Sequence, residues 1–415
     1  MNKEGLIIGG GASGLMAAIT AAENGASVTI LEHMPRVGKK ILSTGNGKCN
    51  LTNLNMTDAC FRCSEEGFPM QVIDRFSVDD TLRFFRRIGV LTTDRNGYVY
   101  PYSGQAQTVL DALRDRADSL GVRIVCECKI LDIKKTKDER FLIKTDKGNQ
   151  TGDFVVLAAG SMAAASTGSD GSGYELAKLL GHKVKKPLPA LVQLKCRGDF
   201  FKAISGVRTE ARVSLYMVGR HGDIGEFLAE DTGELQLTDY GISGIPVFQV
   251  SRYAADALNR NKQVAALIDY LPSYGAGELF ALLKEQRKNL SDRTAEMFLN
   301  GLFHKKLASL FLKAVSIRPE TRAGKISDRS LEELCEVIKE SVYEVTATNP
   351  YEKAQICMGG VDTREINPET MESKWISGLY FAGEILDVDG ICGGYNLQWA
   401  WSSGYVAGIS AAKRR

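Results

Sequence analysis

Residues 6–32 read LIIGGGASGLMAAITAAENGASVTILE, and the order of apolar, glycine and acidic positions in this stretch decides the fold. Leu6 to Ile8 is a short apolar run suited to a parallel strand covered on both faces, and Val28 to Leu31 repeats it. Between them Gly9, Gly11 and Gly14 fall at the G-x-G-x-x-G spacing. The first glycine permits a tight turn, the second lets a pyrophosphate approach the backbone, and the third lets helix close on strand, so phosphates meet a positive helix N-terminus. Leu15, Ala18, Ile19 and Ala22 make the buried stripe of that helix, and Gly25 is placed to cap it. Glu32 follows Gly14 by 18 residues, where a carboxylate holds both ribose hydroxyls and repels a 2′-phosphate. A glycine pattern alone is common in turns; strand, helix, strand and acid in register read as a dinucleotide-binding βαβ unit.

The remaining chain bounds the class. Its 415 residues allow two or three domains, and 44% hydrophobic with 25% charged residues is ordinary for a globular protein. A net charge of +2, with only short basic clusters at 134–137 and 183–186, argues against nucleic-acid and membrane-surface partners. Three glycines interrupt the apolar N-terminus, so it does not read as a signal peptide, and no run approaches a membrane span. Nine scattered cysteines read as reduced thiols, which implies a cytoplasmic location. Cys60 and Cys63 form a C-x-x-C with no second pair or histidine partner to complete a metal site, so no metal is expected.

After Glu32 comes HMPRVGKKILSTGNGKCNLTN, an aperiodic segment of the kind that wraps a ligand. Helical patterns follow at 70–89 and 105–119, then a hairpin-like pair of strands, then the continuous apolar run Phe154 to Ala158, which ends at Ala159-Gly160 on the expected ligand edge of a parallel sheet. From about 190 the pattern alternates at Leu191–Cys196, Ala211–Val218, Glu226–Ala229 and Glu234–Thr238, a β-rich insert; 275–345 is polar and helical. The segment GLYFAG supplies another buried strand near the C-terminus, so the dinucleotide domain reads as split. The expected division is 1–189 and 346–415 for that domain, 190–274 for the β-rich insert and 275–345 for the helical part.

Residues 378–408 carry a second site signal: strand Leu379 to Ala382, then Gly383-Glu384, a loop with Asp387 and Asp389, and Gly393-Gly394 opening a helix. An acid after the glycine accepts bonds from sugar-alcohol hydroxyls, and a helix N-terminus stabilises negative charge on a reduced flavin ring. The small residues Ala400, Ser403, Gly404, Ala407 and Gly408 equally suit a helix that merely packs closely. Taken together, GGGASG, KKILSTGNGKCNLTN, VVLAAG and GLYFAGEILDVDGICGGYNLQWAWSSG resemble the YhiN-type bacterial flavoproteins, the family that includes aminoacetone oxidase and the bile-acid-inducible flavin reductase, over nearly the whole chain.

The resemblance implies an α/β fold: a split Rossmann-like FAD-binding domain with an inserted β-rich, barrel-like domain and a small helical domain, and FAD held non-covalently. It implies that Gly9, Gly11, Ala12, Ser13 and Gly14 cradle the pyrophosphate, Glu32 holds the adenosine ribose, and Lys39 and Lys40 approach the phosphates. Gly45, Asn46, Gly47, Cys49, Asn50 and Leu51 run beside the ring system. Ile130 contacts the adenine end, Ala159 and Gly160 the ribose, Glu384 the ribityl chain between Gly383 and Asp389, and Gly394, Tyr395, Asn396 and Leu397 the pyrimidine edge. Where the family carries Thr-Gly-Gly after the central strand this chain has Ala159-Gly160-Ser161, which weakens one polar contact.

FAD chemistry leaves few catalytic side chains to find. Cys49 is either a thiol activated by nearby amides or a small buried residue, and Cys392 divides the same way. Tyr395 beside the flavin helix is the aromatic candidate; Tyr98, Tyr100 and Tyr102 either line the substrate side or form an exposed strand edge. His33, His182, His221 and His304 are isolated in sequence. No second G-x-G-x-x-G follows a strand, so NAD(P)H is expected only as a transient donor. The resemblance favours NAD(P)H-dependent reduction of an activated C=C bond in a hydrophobic or steroid-like small molecule. An amine oxidase passing electrons to oxygen and a non-catalytic flavin-binding sensor are the alternatives.

Overall fold

In the computed structural model, which describes residues 2–219 and 223–414, the chain forms two compact units: Met1–Leu188 with Gln355–Arg415, and Pro189–Ala354.

The first unit is built on a five-stranded parallel sheet ordered Leu379–Phe381, Phe154–Leu157, Glu4–Ile8, Ser27–Leu31, Arg123–Val125. Its central strands are apolar and buried: helix Ala12–Glu23 and strand Gly148–Gly152 both pack against them. Helix Ala12–Glu23 follows the first strand, and its C-terminal turn closes at Asn24 with Gly25 in the left-handed region. The last strand comes from the far end of the chain, so the domain is split as expected. Helix Tyr395–Lys413 then lies on helix Ala12–Glu23. Side chains at Gly404 and Gly408 would collide with the backbone carbonyls of Ser13 and Ala17, so the small-residue stripe does bring the two helices into close contact. The helical pattern at 70–89 is two helices, Phe68–Ile73 and Val78–Arg87, the second started by a Ser77–Asp80 capping box. Beside them lie a three-stranded antiparallel sheet of Ile130–Lys135, Phe141–Thr145 and Gly148–Gly152, and a small sheet of Thr52–Asn53, Tyr98–Pro101 and Thr92–Arg95.

The second unit is a closed six-stranded barrel with helices packed into one shared core. Three sequence boundaries are corrected. The stretches at 226–229 and 234–238 are one strand, Ile224–Thr238; Glu230 to Gly233 read as a break but pair with Ala211 to Ser214. The strand expected from Leu191 begins at Leu194. The boundary at 345/346 falls inside strand Ser341–Thr348, which pairs with both Val264–Asp269 and Leu194–Cys196 and so closes the barrel. Closure leaves no bare strand edge, which is why a strand after the helical segment belongs to the barrel. Among the described residues no helix is long and apolar enough to cross a membrane.

Candidate cofactor site

The carboxyl edge of the parallel sheet gathers the glycine turn after the first strand, the end of the second, Ala159-Gly160 after the fourth and Gly383 after the last. Gly9 sits at φ +98, and a side chain at Gly14 would collide with the Gly9 carbonyl, so both are required by the turn itself. Gly11 differs. Its φ of −77° suits any residue, and a Cβ there would meet nothing within 4 Å. The protein's own packing does not demand glycine at this helix N-terminus, which leaves the backbone open to an approaching group. Ser13 donates its hydroxyl to Ala382 O (3.2 Å), so the backbone N–H groups of this first turn, and not the hydroxyl, are left for a phosphate.

Glu32 is buried just past the second strand, its two oxygens accepting from Gly10 N–H (2.7 Å) and Met34 N–H (2.8 Å). These bonds fix the carboxylate while leaving lone pairs on each oxygen. Glu127 and Cys128 bond to the carbonyls of Met34 and Glu32, which brings Ile130, at the start of its strand, to the same edge. Lys39 is half-buried. Lys40 does not stand free for the phosphates: its Nζ is 2.6 Å from Glu384 Oε2. Ser161, fully buried, donates to the same oxygen at 3.1 Å. The serine that stands in place of the family's glycine thus makes a polar contact of its own, on Glu384.

The segment after Ile41 coils through left-handed positions at Gly45, Asn46, Gly47 and Cys49. Cys49 is completely buried, and burial pushes its thiol up to about 12, so it is no activated nucleophile. Asn50 is 8% exposed, and its Oδ1 has no hydrogen-bond partner among the described residues. Leu51 is spent on the frame, its N–H on Val99 O and its carbonyl on Trp401 Nε1 (2.9 Å).

At the other end, Gly394 caps helix Tyr395–Lys413 with φ +97, and a Cβ on it would meet Thr52 O at 2.6 Å and Asn50 Oδ1 at 2.9 Å. The first amides of this helix, on Tyr395, Asn396 and Leu397, have no partner within the helix and carry its positive end. Their side chains are used elsewhere. Asn396 bonds both ways to Gly390, accepting at 2.8 Å and donating at 2.9 Å. Tyr395 is buried, donates to Asn55 O at 3.1 Å and has its ionisation pushed up by burial, which removes it as a proton donor to a substrate. Gly383 gives its N–H to Ser403 Oγ and takes Trp399 Nε1 on its carbonyl. Asp389 is buried in a strand paired with Phe61–Cys63. A residue missed from sequence is Gln398, fully buried, whose amide ties Thr52, Thr81 and Ser402 together behind the helix N-terminus.

Cys60, Cys63, His182 and His304 serve the frame. Cys60 and Cys63 are both free thiols, the second donating to Glu65 O. His182 bonds Glu365 and Ser373 at 3.0 Å each, and burial lowers its pKa. His304 caps helix Lys305–Ala314, and His221 lies outside the described residues. Among the described residues no group of three or more His, Cys, Asp or Glu could hold a metal ion.

The open space at Gly11, the fixed carboxylate of Glu32 and the unpartnered Asn50 Oδ1 beside a helix N-terminus fit FAD's pyrophosphate, ribose and ring system in turn. Sheet, turn and acid define the class, a flavoprotein with a split Rossmann-like FAD-binding domain. The chain belongs to the HI0933-like protein Rossmann domain family, whose pattern matches residues 3–410. It is 44% identical over the full length of both chains to a 3-dehydro-bile acid delta(4,6)-reductase of Clostridium scindens. It is 29% identical to a ribosomal RNA dihydrouridine synthase of Haemophilus influenzae, over 99% of each chain. A solved 3-ketosteroid-delta4-(5alpha)-dehydrogenase of Rhodococcus jostii, 16% identical, aligns over 99% of this chain and 97% of its own with a TM-score of 0.48.

Proposed function

We propose that this protein is an FAD-dependent reductase in which NAD(P)H reduces a non-covalently held flavin and the electrons saturate a carbonyl-activated C=C bond of a hydrophobic, steroid-like small molecule. The observation that carries the reading is the full-length 44% identity to a bile-acid delta(4,6)-reductase. Bound FAD supplies the hydride exchange. The chain's own residues hold and orient it: the 9–14 turn takes the pyrophosphate, Glu32 the ribose, and the Lys40–Glu384 pair the middle of the molecule. The amides of Tyr395 to Leu397, at the positive end of their helix, would hold the ring and favour its reduced form. Neither Cys49 nor Tyr395 supplies the proton that completes saturation, since one is a buried neutral thiol and the other is tied to Asn55. Nine free cysteines suit a reducing cytoplasm.

A second reading keeps the chemistry and changes the substrate. Relatives named ribosomal RNA dihydrouridine synthase also point to saturation of a C=C bond, in a uridine of RNA. The near-neutral charge of this chain favours the small molecule.

The test is anaerobic flavin absorbance of the holoprotein mixed with NADH, then NADPH, then a 4-en-3-one bile acid. Bleaching by a nicotinamide and recovery on the enone support the reading. A flavin that dithionite reduces but neither nicotinamide does overturns the NAD(P)H-linked reductase.

A further inference from the structure

Strand Tyr98–Pro101 alternates: Val99 and Pro101 turn inward, while Tyr98, Tyr100 and, one residue past the strand, Tyr102 stand on the opposite side. Exposure rises along the row, from half-buried Tyr98 and Tyr100 to Tyr102 at 76%. Its inner end touches the two segments assigned to the flavin ring. A Cβ on Gly393 would meet Tyr98 Cε1 at 2.7 Å, and one on Gly45 would meet Tyr100 Cε1 at 3.6 Å. The outer end reaches Leu91, 63% exposed, whose carbonyl accepts the Tyr102 N–H at 2.8 Å. Burial raises the Tyr100 pKa, so that phenol stays an O–H donor at neutral pH.

Alternate strand residues are about 6.6 Å apart, so three rings span about 13 Å, the reach of several fused rings and too long for one. Tyrosine combines an apolar face with a polar tip, which matches a rigid hydrocarbon carrying a few oxygens. The neighbours directly across the strands are Thr93 beside Tyr100, and Arg95 and Asn53 beside Tyr98. A single cation among them offers a polyanion little.

We propose that the Tyr98–Tyr100–Tyr102 face, with Leu91 at its outer end, is the substrate platform, and that it takes a fused-ring molecule whose conjugated ketone lies at the inner end against Gly45 and Gly393. The proposal rests on the reductase reading and adds where and by what the substrate is gripped.

The experiment titrates holoprotein with androst-4-ene-3,17-dione, following perturbation of the flavin spectrum, for the wild type, Tyr100→Ala, Tyr100→Phe and the exposed Tyr102→Ala. Roughly tenfold weaker binding is expected for Tyr100→Ala, the loss of a ring's contact, and roughly threefold for Tyr102→Ala, with Tyr100→Phe between them and the wild type. FAD content stays at the wild-type value, and for Tyr102→Ala at the outer end KM for the steroid rises while KM for cyclohex-2-enone, a single ring held at the inner end, does not. Wild-type affinity in both alanine variants, with steroid reduction intact, overturns the platform and leaves the reductase reading standing. A wild type that neither binds nor reduces the steroid overturns both. A uridine-rich RNA hairpin whose binding is lost in Tyr100→Ala while steroid binding is kept overturns it in favour of a nucleobase surface.

Discussion

Lys40 and Glu384, 344 positions apart in the chain, meet as an ion pair with Nζ 2.6 Å from Oε2, each side chain about one-fifth exposed (20% and 19%). The pair joins the segment after the second strand to the one after the last. The Glu384 carboxylate therefore fixes where the Lys40 ammonium points. Ser161 shares the carboxylate oxygen and fixes the geometry.

If Glu384 aims Lys40, the two act on FAD together. Lys40→Met and Glu384→Gln each weaken FAD binding to apoprotein, and the double variant loses less than the sum by about 1 kcal/mol, a coupling typical of a partly exposed pair. Calorimetric titration with FAD measures the cycle; strictly additive losses would refute the linkage.

Gly11 and Gly14 separate ligand space from packing. Gly11→Val, whose Cβ meets no atom within 4 Å, empties the protein of flavin while apoprotein stability changes little. Gly14→Ala forces the Gly9 carbonyl aside and costs about 1–3 kcal/mol by overpacking, with or without FAD. Flavin content and thermal melts of the two apoproteins check this, and normal flavin in Gly11→Val rules out the cradle.

The buried thiol of Cys49 makes a pH prediction. Its pKa rises from 9.0 to about 12 on folding, so the unfolded chain loses this proton first. The thiol's contribution is intact below pH 9 and falls by about 1.4 kcal/mol per unit as pH rises from there toward 12. Urea melts across pH 8–10.5 should show a shallower decline for Cys49→Ala than for the wild type. Parallel declines, or rapid alkylation of native Cys49 at pH 8, contradict the buried neutral thiol.

Tyr395→Phe removes the bond to Asn55 O and costs about 1 kcal/mol of stability, with kcat near the wild type because the phenol is already committed. A large fall in kcat with unchanged KM would return Tyr395 to the chemistry.

Much of the first unit is legible because its signals are local. Gly9, Gly14 and Glu32 are dictated by a turn and a helix start a few residues long, and the apolar runs at 6–8, 28–31 and 154–157 identify strands covered on both faces. The barrel is less legible. Four of its helices, from Ala276 to Lys339, lie between the strands Val264–Asp269 and Ser341–Thr348 that pair with each other, and nothing local to residues 346–348 says that they close a sheet. Within the site, residue type identified which positions line the edge, while the partner each side chain takes depended on distant chain. Ser13, Leu51, Asn396 and Tyr395 are spent on Ala382, Trp401, Gly390 and Asn55, whereas Asn50 keeps an acceptor without a donor among the described residues.

By itself the sequence determined the dinucleotide-binding βαβ unit, its acid and the split of the domain, because backbone conformation and hydrophobic period are short-range properties. Only the tertiary structure decided that Lys40 answers to Glu384, that Cys49 is sealed from solvent, and that three tyrosines share a face beginning at Gly393. Burial and pairing belong to groups that come together in space, and their energies depend on neighbours hundreds of residues away.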